Sequence, residues 1–433
     1  MKKLLHILSV VMLVACCALI AGAQGESSLT EQRPYKENEK IKIIDNVVYQ
    51  LCEDKALGGK FYEVYDWFAT PEAADNTAEI NIVPEIGGIK VKAVKQDGDS
   101  YSDYYIPDYG TEHNYSVKRV TLPDTVEYIG NGLFSILDGV EELVIPASVR
   151  ATGNLLYLYS DGGYGAGVPE YPVWTFEGME SLKRVTFSGS IEILGGFKNC
   201  KKLEKVTLKG DAEYIGCDAF YGCTSLKSFK IPSTVMEIGG YAFYGSGITS
   251  ITIPASVKRL GDEDYASVFK NCKKLTKVVF SDRKASQLLI DLDTFRNCTA
   301  LKKVYLPKSV KRIYIEPMAF RNCRKLTKIY NTDNIVRIGE QAFRTCTSLT
   351  SFTVSAKVTK IGKNAFYGCT KLKKVTVNSK KAAPSIGKKA FGRTAEGIKF
   401  VAKNSTAAKS WKSGLKKSGL KKMKVCYVKY VNV

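Results

Sequence analysis

The feature that most constrains this chain is a short phrase that recurs along it. The stretch AFYGCTSLKSF at 219–229 returns as AFYGCTKLKKV at 365–375, with its phenylalanine, cysteine and leucine in the same places. The recurring phenylalanines, spaced 23 to 26 residues apart, are Phe197, Phe220, Phe243, Phe269, Phe295, Phe320, Phe343, Phe366 and Phe391. A unit of this length cannot bury its own apolar side chains, whereas stacked units bury them against each other. The repeat therefore predicts an elongated solenoid.

One unit, residues 225–246, indicates how a coil is built. Apolar residues alternate at Phe229 and Ile231, as on a strand with one buried side. Pro232 cannot donate to a strand ladder and marks the strand end. A glycine turn and one helical turn at 241–244 are expected to complete the coil. We predict an α/β solenoid of about twelve coils of 23 residues, with parallel strands, short helical turns and a cap at each end.

Charge is distributed unevenly along a chain of ordinary composition, with 45% hydrophobic and 25% charged residues. Residues 1–180 contain 14 Lys and Arg against 27 Asp and Glu, which gives −13. Residues 181–433 contain 50 against 16, which gives +34 and brings the whole chain to +21. A basic body of this size favours acidic partners through its overall field.

The first residues, MKKLLHILSVVMLVACCALIAGAQ, are typical of a secretory signal peptide. A basic start precedes an apolar run, and small residues at Ala21 and Ala23 suit cleavage after Ala23. The sequence around Cys16 also resembles a lipoprotein signal, so lipidation of Cys16 is the alternative. No later stretch reaches the roughly 18 apolar residues of a membrane helix. We therefore predict a secreted or cell-surface protein.

The unit LxxVxLPxSVxxIGxxAFxxC resembles the BspA-like, or Treponema-type, leucine-rich repeat over roughly residues 80–402. The units at 143 and 185 depart from this form. The resemblance implies a bacterial surface protein that adheres to host matrix proteins, mucins or cells. We therefore predict the following division of the chain: a signal peptide at 1–23, an N-terminal cap with a degenerate first coil at 24–94, a Tyr- and Asp-rich loop at 95–116, the leucine-rich-repeat solenoid at 117–402 with an insertion at 154–174, and a basic C-terminal cap at 403–433.

Twelve cysteines in a secreted chain ordinarily indicate disulfides. Here seven share one repeat position, where two other units carry Ser246 and Thr394. Ser and Thr can replace a small buried group but not half of a disulfide, so we predict a ladder of buried free thiols. Coils about 4.8 Å apart would still allow neighbouring thiols to cross-link, and that alternative stays open. The ladder consists of Cys200, Cys223, Cys272, Cys298, Cys323, Cys346 and Cys369.

Residues suited to catalysis or metal binding are scarce. Beyond the predicted signal peptide the sequence has one histidine, His113, and no GxSxG, HExxH or phosphate-loop motif. Asp97, Asp99 and Asp103 are close in sequence, but the glycine and closing glutamate of a helix-loop-helix calcium site are missing. No CxxC pair of the zinc-site type accompanies the cysteines. We predict a protein that is not an enzyme and has neither cofactor nor metal.

The first candidate binding surface is a column of lysines. The residue before the first apolar position of each strand points to solvent, and in many units it is Lys. On consecutive coils such like charges repel, and a polyanion would relieve them. Lysines that simply cover an exposed sheet and deter edge pairing are the alternative. The predicted ligand-binding lysines are Lys205, Lys277, Lys303, Lys328 and Lys374.

The second candidate surface is the insertion at 154–174, which is rich in Tyr, Gly and Pro. Long loops are often functional, and aromatic residues give large contact area at low entropic cost. The same residues could instead pack on the solenoid and hold the loop down. The predicted contacts are Tyr157, Tyr159, Tyr164, Tyr171 and Trp174.

The third candidate surface is the lysine-rich tail at 404–433. Trp411 and Leu415 share one helical face and VCYVKYV alternates as a strand, which favours a solenoid cap with a basic exterior. Lysines without aromatics at base-stacking spacing argue against nucleic acid. The sequence as a whole predicts an adhesin-like module whose partner is a host extracellular protein or glycan. The alternative is a cell-envelope structural protein that binds an anionic polymer through its basic C-terminal half.

Overall fold

The computed structural model describes most of the repeat region and both of its ends. The described residues are 38–54, 58–67, 76–94, 114–130, 133–152, 175–261, 266–380 and 382–427. The predicted signal peptide, the Asp97–Asp103 stretch, His113 and the five aromatic residues of the insertion lie outside them.

The N-terminal region contributes a small sheet next to the first coils. Its strands are β1 (Ile41–Ile44), β2 (Val47–Asp54), β3 (Gly59–Asp66), β4 (Glu79–Asn81), β5 (Glu85–Ile86) and β6 (Ile89–Val94). β1, β2 and β3 pair antiparallel in sequence order, and β3 then pairs in parallel with β6. Trp67, which follows β3, is fully buried and donates its indole N–H to the Leu133 carbonyl. This contact ties the sheet to the repeats.

Most coils contribute one strand to a parallel surface that we call the strand face. The strands are β7 (Arg119–Thr121), β9 (Glu142–Ile145), β10 (Arg184–Phe187), β12 (Lys205–Leu208), β15 (Ser250–Ile253), β17 (Lys277–Phe280), β19 (Lys303–Tyr305), β21 (Lys328–Tyr330), β23 (Ser351–Val354), β25 (Lys374–Val377), β27 (Lys399–Ala402) and β28 (Lys424–Tyr427). β4 joins this face by pairing in parallel with β7. Equivalent residues of neighbouring coils therefore stand side by side.

A second face is built from strands of two to four residues that follow those of the strand face. They are β8 (Tyr128–Ile129), β11 (Ile191–Leu194), β13 (Ala212–Ile215), β14 (Glu237–Ile238), β16 (Arg259–Leu260), β18 (Gln287–Ile290), β20 (Arg312–Ile315), β22 (Ile335–Ile338), β24 (Lys360–Ile361) and β26 (Ser385–Ile386). β6 pairs with β8 on this face, and a 3-10 helix at Thr332–Asn334 links β21 to β22.

The core lies between the two faces and runs along the whole stack. In β17, Lys277 is exposed while Val278 and Phe280 are buried, as a two-residue period requires. The recurring phenylalanines stack coil upon coil, and the ring of Phe320 lies 5.3 Å from those of both Phe295 and Phe343. These features confirm the predicted solenoid of about twelve coils with parallel strands.

Two details differ from the expectation for a single coil. Residues 241–244 form a turn that Tyr241 enters with φ of 55°, so they do not form a helical turn. Phe229 and Ile231 are buried, yet between β12 and β15 the described chain adds no strand to the strand face.

A helix covers the last coils. Helix α1 (Ser405–Lys417) begins after Asn404, whose side chain accepts a hydrogen bond from the Ala407 N–H. Trp411 and Leu415 are fully buried against the end of the core, and β28 then pairs in parallel with β27. Among the described residues, no helix has the length and apolar character needed to span a membrane.

Candidate binding surfaces

Three of the predicted lysines stand side by side on the strand face. Lys277, Lys303 and Lys328 begin β17, β19 and β21, and the strand register pairs each with the next. All three are exposed, because the residue before the first buried position of a strand points to solvent. None of them forms an ion pair within the described part of the chain. This lysine triplet is a group of adjacent positive charges on the strand face that no described carboxylate compensates.

Lys205 lies in a different environment. Its register partner is Arg184, whose own partner is Glu142, and Arg184 forms an ion pair with the Glu142 carboxylate. Beside them Lys183 donates to Glu141 at 2.8 Å, and this contact lowers the pKa of Glu141. The N-terminal part of the strand face thus neutralises much of its own charge.

Lys374 begins a second lysine column. The register pairs Lys374 with Lys399 and Lys399 with Lys424, all three exposed. Lys399 and Lys424 were not predicted from the sequence. Alignment of the repeat on the buried Phe400 places Lys399 at the outward position.

A tyrosine pair that the sequence analysis missed lies beside the lysine triplet. The rings of Tyr305 and Tyr330 stack at 4.5 Å with an interplanar angle of 2°. The Lys277 ammonium lies 5.6 Å from the Tyr305 centroid, and that of Lys328 lies 4.7 Å from the Tyr330 centroid. Such distances favour a cation–π interaction. The signal in the sequence is the third strand position, which reads Tyr in two successive units.

The seven ladder cysteines share one geometry. Each Sγ donates to the carbonyl of a phenylalanine one coil earlier, at 2.9–3.1 Å. All seven are buried, and none forms a disulfide in the structure. Burial raises the pKa of Cys369 to about 12, so its thiol is a neutral donor at pH 7. The Ser246 hydroxyl occupies the same repeat position, 3.5 Å from the Cys272 sulfur.

The two residues after each recurring phenylalanine form two further columns along the solenoid, and we call this side of the solenoid the turn edge. Two positions after the phenylalanine stand Asn271, Asn297 and Asn322, each with φ of 63°. The Asn297 amide donates to the Asn271 Oδ1 at 2.9 Å, and the Asn322 amide donates to the Asn297 Oδ1 at 2.8 Å. This asparagine ladder holds consecutive turns together.

One position after the phenylalanine, the turn edge carries cations. Four consecutive coils place Lys270, Arg296, Arg321 and Arg344 there, all partly buried, and the next coil places Tyr367. Arg344 packs on the Tyr367 ring with 5.3 Å between guanidinium carbon and centroid. The sequence analysis missed this column, although alignment on the phenylalanine exposes it directly.

No group of three or more His, Cys, Asp or Glu is placed to hold a metal within the segments described. An open groove of about 590 Å³ on the second face is lined in part by Glu192, Asp211 and Glu213. Glu192 accepts from Arg150 at 3.4 Å, so one of these carboxylates already has a cationic partner.

Short parallel strands, a phenylalanine spine and a ladder of seven buried cysteines define this chain as a leucine-rich-repeat solenoid. The profile described as "BspA type Leucine rich repeat region" matches in six copies, at residues 104–161, 170–266, 195–313 and 263–399. These matches cover more than half of the chain, which therefore belongs to the BspA-type leucine-rich-repeat family.

A solved structure of similar fold supports the solenoid architecture, and two further structures are similar to a lesser degree. A leucine-rich repeat protein from Bacteroides ovatus is 22% identical, with a TM-score of 0.53 over 90% of this chain and 100% of that one. A leucine rich cell surface protein from Faecalibacterium prausnitzii is 19% identical, covers 87% and 97%, and has a TM-score of 0.38. The pneumococcal vaccine antigen PcpA is 16% identical, covers 91% and 100%, and has a TM-score of 0.40. No curated protein matches the sequence.

Proposed function

We propose that this protein is a secreted or cell-surface binding module of the adhesin type, with a host extracellular protein or glycan as its partner. The observation that carries the proposal is the lysine triplet, Lys277, Lys303 and Lys328, in register without carboxylate partners in the described chain. The signal peptide predicted at 1–23 brings the chain to the outside, and lipidation at Cys16 is the alternative route to the surface. The Faecalibacterium prausnitzii relative is itself described as a cell surface protein.

The repulsion between adjacent lysines of the triplet favours a ligand that carries an anionic group. Two unit charges about 5 Å apart repel by roughly 0.8 kcal/mol at the dielectric of water. An acidic group that contacts two adjacent lysines relieves this repulsion. The stacked Tyr305 and Tyr330 add a flat aromatic contact with hydroxyl groups, the combination that binding surfaces use for specificity. The aromatic residues of the insertion are proposed as a second contact.

The test is binding of residues 24–433 to sulfated glycans, sialylated glycans and matrix proteins over a salt series. One variant changes Lys277, Lys303 and Lys328 to Ser. A matched control changes Lys258, Lys360 and Lys388 to Ser, three exposed lysines outside the strand face. A third variant lacks residues 155–172.

We expect binding that weakens with salt and with the triplet variant, while the control triple keeps its affinity. Equal losses in the two triple variants would show that only net charge matters and would overturn the assignment to the strand face. Binding that ignores salt and the lysine changes, but disappears with the deletion, would place the site in the insertion.

A second candidate function rests on the second lysine column. Lys374, Lys399 and Lys424 stand in register next to the last coils, which suits the alternative of an envelope protein that binds an anionic polymer. Removal of the tail is a poor test, because Trp411 and Leu415 are buried and their loss would expose the core. Changing the three lysines to Ser keeps the cap. Loss of polymer binding in this variant, with the triplet variant unaffected, would favour the second function.

A further inference from the structure

The turn edge changes its charge pairing from one coil to the next. Asp293 Oδ2 accepts from Arg296 at 3.0 Å and from Lys270 of the preceding coil at 2.8 Å. On the following coil Met318 occupies the position of Asp293, and Arg321 Nη1 lies 3.5 Å from its sulfur. The first arginine of the column thus has a carboxylate, and the second has a thioether in the same place.

The third arginine has an amide in that place. Gln341 Oε1 accepts from Arg344 Nη1 at 3.1 Å. Acceptors along the column therefore pass from carboxylate to thioether to neutral amide, while the cation is retained. The positive charge of Arg321 and Arg344 is not neutralised by an ion pair with any described residue.

Arg321 lies between two other arginines of the column, Arg296 and Arg344, which repel its positive charge. Its Nε is buried and has no hydrogen-bond partner in the described chain. Burial lowers the pKa of Arg321, and the charges of Arg296 and Arg344 lower it further, opposed by Asp293. The phenylalanine rings beside these arginines are 5.3 Å apart, so the Arg321 guanidinium has a like charge on both sides, from Arg296 and Arg344.

Met318 is also an unfavourable residue for the backbone it occupies. Its φ is 58°, in the left-handed region where Asp and Asn are tolerated better than other side chains. An aspartate here would suit the backbone and would pair with Arg321 as Asp293 pairs with Arg296. The chain forgoes both gains, and a local arrangement that costs stability is typical of a functional position.

We infer that Arg321 and Arg344 bind the sulfate groups of a sulfated polysaccharide that runs along the turn edge. A sulfate ester has three terminal oxygens, so one group can accept from two guanidinium forks on adjacent coils. A carboxylate has two oxygens, which a single fork occupies. Arg393 stands two positions after Phe391 and so lies outside the column, but its guanidinium also packs on the Tyr367 ring, at 5.5 Å, and adds a further cation there. This site uses other residues than the lysine triplet and does not depend on it.

The test uses residues 24–433 and immobilised heparin as the probe. Met318→Asp supplies the missing internal carboxylate without removing a cation, and Met318→Leu is its matched neutral control. We expect about tenfold weaker heparin binding for Met318→Asp and about unchanged binding for Met318→Leu. Arg321→Gln should resemble Met318→Asp. Asp293→Asn should act in the opposite sense, because it releases Lys270 and Arg296.

Thermal unfolding separates these effects from damage to the fold. Met318→Asp should melt no lower than the wild type, since it gains an ion pair and a better backbone fit. The effect of Met318→Asp should persist when Lys277, Lys303 and Lys328 are Ser, which tells this site apart from the strand face. Unchanged heparin binding in both Met318→Asp and Arg321→Gln would overturn the site. Equal affinity for hyaluronate, which has carboxylates but no sulfate, or for DNA would overturn the ligand assignment.

Discussion

Replacement of Asn297 in the asparagine ladder should lower the free energy of unfolding through two separable contributions. Asn297 is the middle rung: it donates to Asn271 at 2.9 Å and accepts from Asn322 at 2.8 Å. It also holds a left-handed backbone, with φ of 63°. Replacement by Ala removes both hydrogen bonds and leaves an unsuitable residue in that backbone, whereas replacement by Gly removes only the bonds. Gly222, Gly245 and Gly368 already occupy this repeat position in other coils.

The magnitudes follow from these two contributions. Each hydrogen bond contributes about 1 kcal/mol, so Asn297→Gly should cost about 2 kcal/mol of unfolding free energy. Ala in a left-handed conformation costs about 1–2 kcal/mol more, which brings Asn297→Ala to about 3–4 kcal/mol. Asn364 is a matched control, since its φ is 54° but its side chain makes no hydrogen bond within the described residues. Asn364→Gly should be nearly neutral, and Asn364→Ala should cost about 1–2 kcal/mol.

Urea unfolding followed by circular dichroism measures all four variants. The free-energy differences are meaningful when the slope with denaturant is unchanged between variants. If Asn297→Gly proves no more destabilising than Asn364→Gly, the ladder bonds contribute nothing. If Ala and Gly destabilise the protein equally at position 297, the left-handed backbone there adds no cost for Ala.

Three further predictions concern the core and the turns. Cys323→Ala should cost about 1–2 kcal/mol of unfolding free energy through the lost thiol hydrogen bond and volume, and Cys323→Ser less. The seven buried ladder thiols should resist Ellman's reagent at pH 8 until urea unfolds the chain, whereas disulfides would leave them unreactive even then. Gly362→Ala should cost about 3 kcal/mol of unfolding free energy, measured in urea, because a Cβ there would lie 2.5 Å from the Glu340 backbone nitrogen. Gly397→Asn should be nearly neutral, because a Cβ there would meet open space and Asn tolerates a φ of 65°. Burial raises the pKa of Glu177, so folding favours its protonated form. The folding stability that this group contributes is therefore lost as the pH rises above the ordinary pKa of 4.5. Glu177→Gln should therefore gain stability over the wild type as pH increases towards 7, and identical pH–stability curves would contradict this.

The fold could be predicted from the sequence because inward positions repeat. Phe, Cys and Leu return at fixed places in the unit, and stacking them leaves no other way to bury their side chains. The turn conformation could not be predicted, since Tyr241 and Met318 adopt positive φ although neither residue type suggests it. Packing between neighbouring coils imposes that backbone.

The candidate sites were predictable only in part. The lysine triplet follows from strand alternation, which fixes the outward direction of Lys303 and its neighbours. The Tyr305–Tyr330 stack and the Arg321 environment depend on which side chains of different coils meet. Those contacts become visible only when the coils are in register, because the residues involved are about 25 positions apart in the chain. The binding roles of both groups stay predictions.

The position of the basic residues argues for a local site and against a diffuse field. The segments 270–280, 296–306 and 321–331 run from the turn edge to the strand face on three successive coils, and together they hold eleven cations and no acidic residue. The preceding segment, 244–254, has no charged residue, and the following one, 344–354, has only Arg344. A long polyanion could therefore contact Arg321 and Lys328 at once. If one chain spans both surfaces, Met318→Asp alone and the triplet variant alone should each weaken its binding strongly, because the second contact is intramolecular once the first is made. A short sulfated oligosaccharide reaches one surface at a time, so it should lose little affinity in either single variant, since the other surface stays intact.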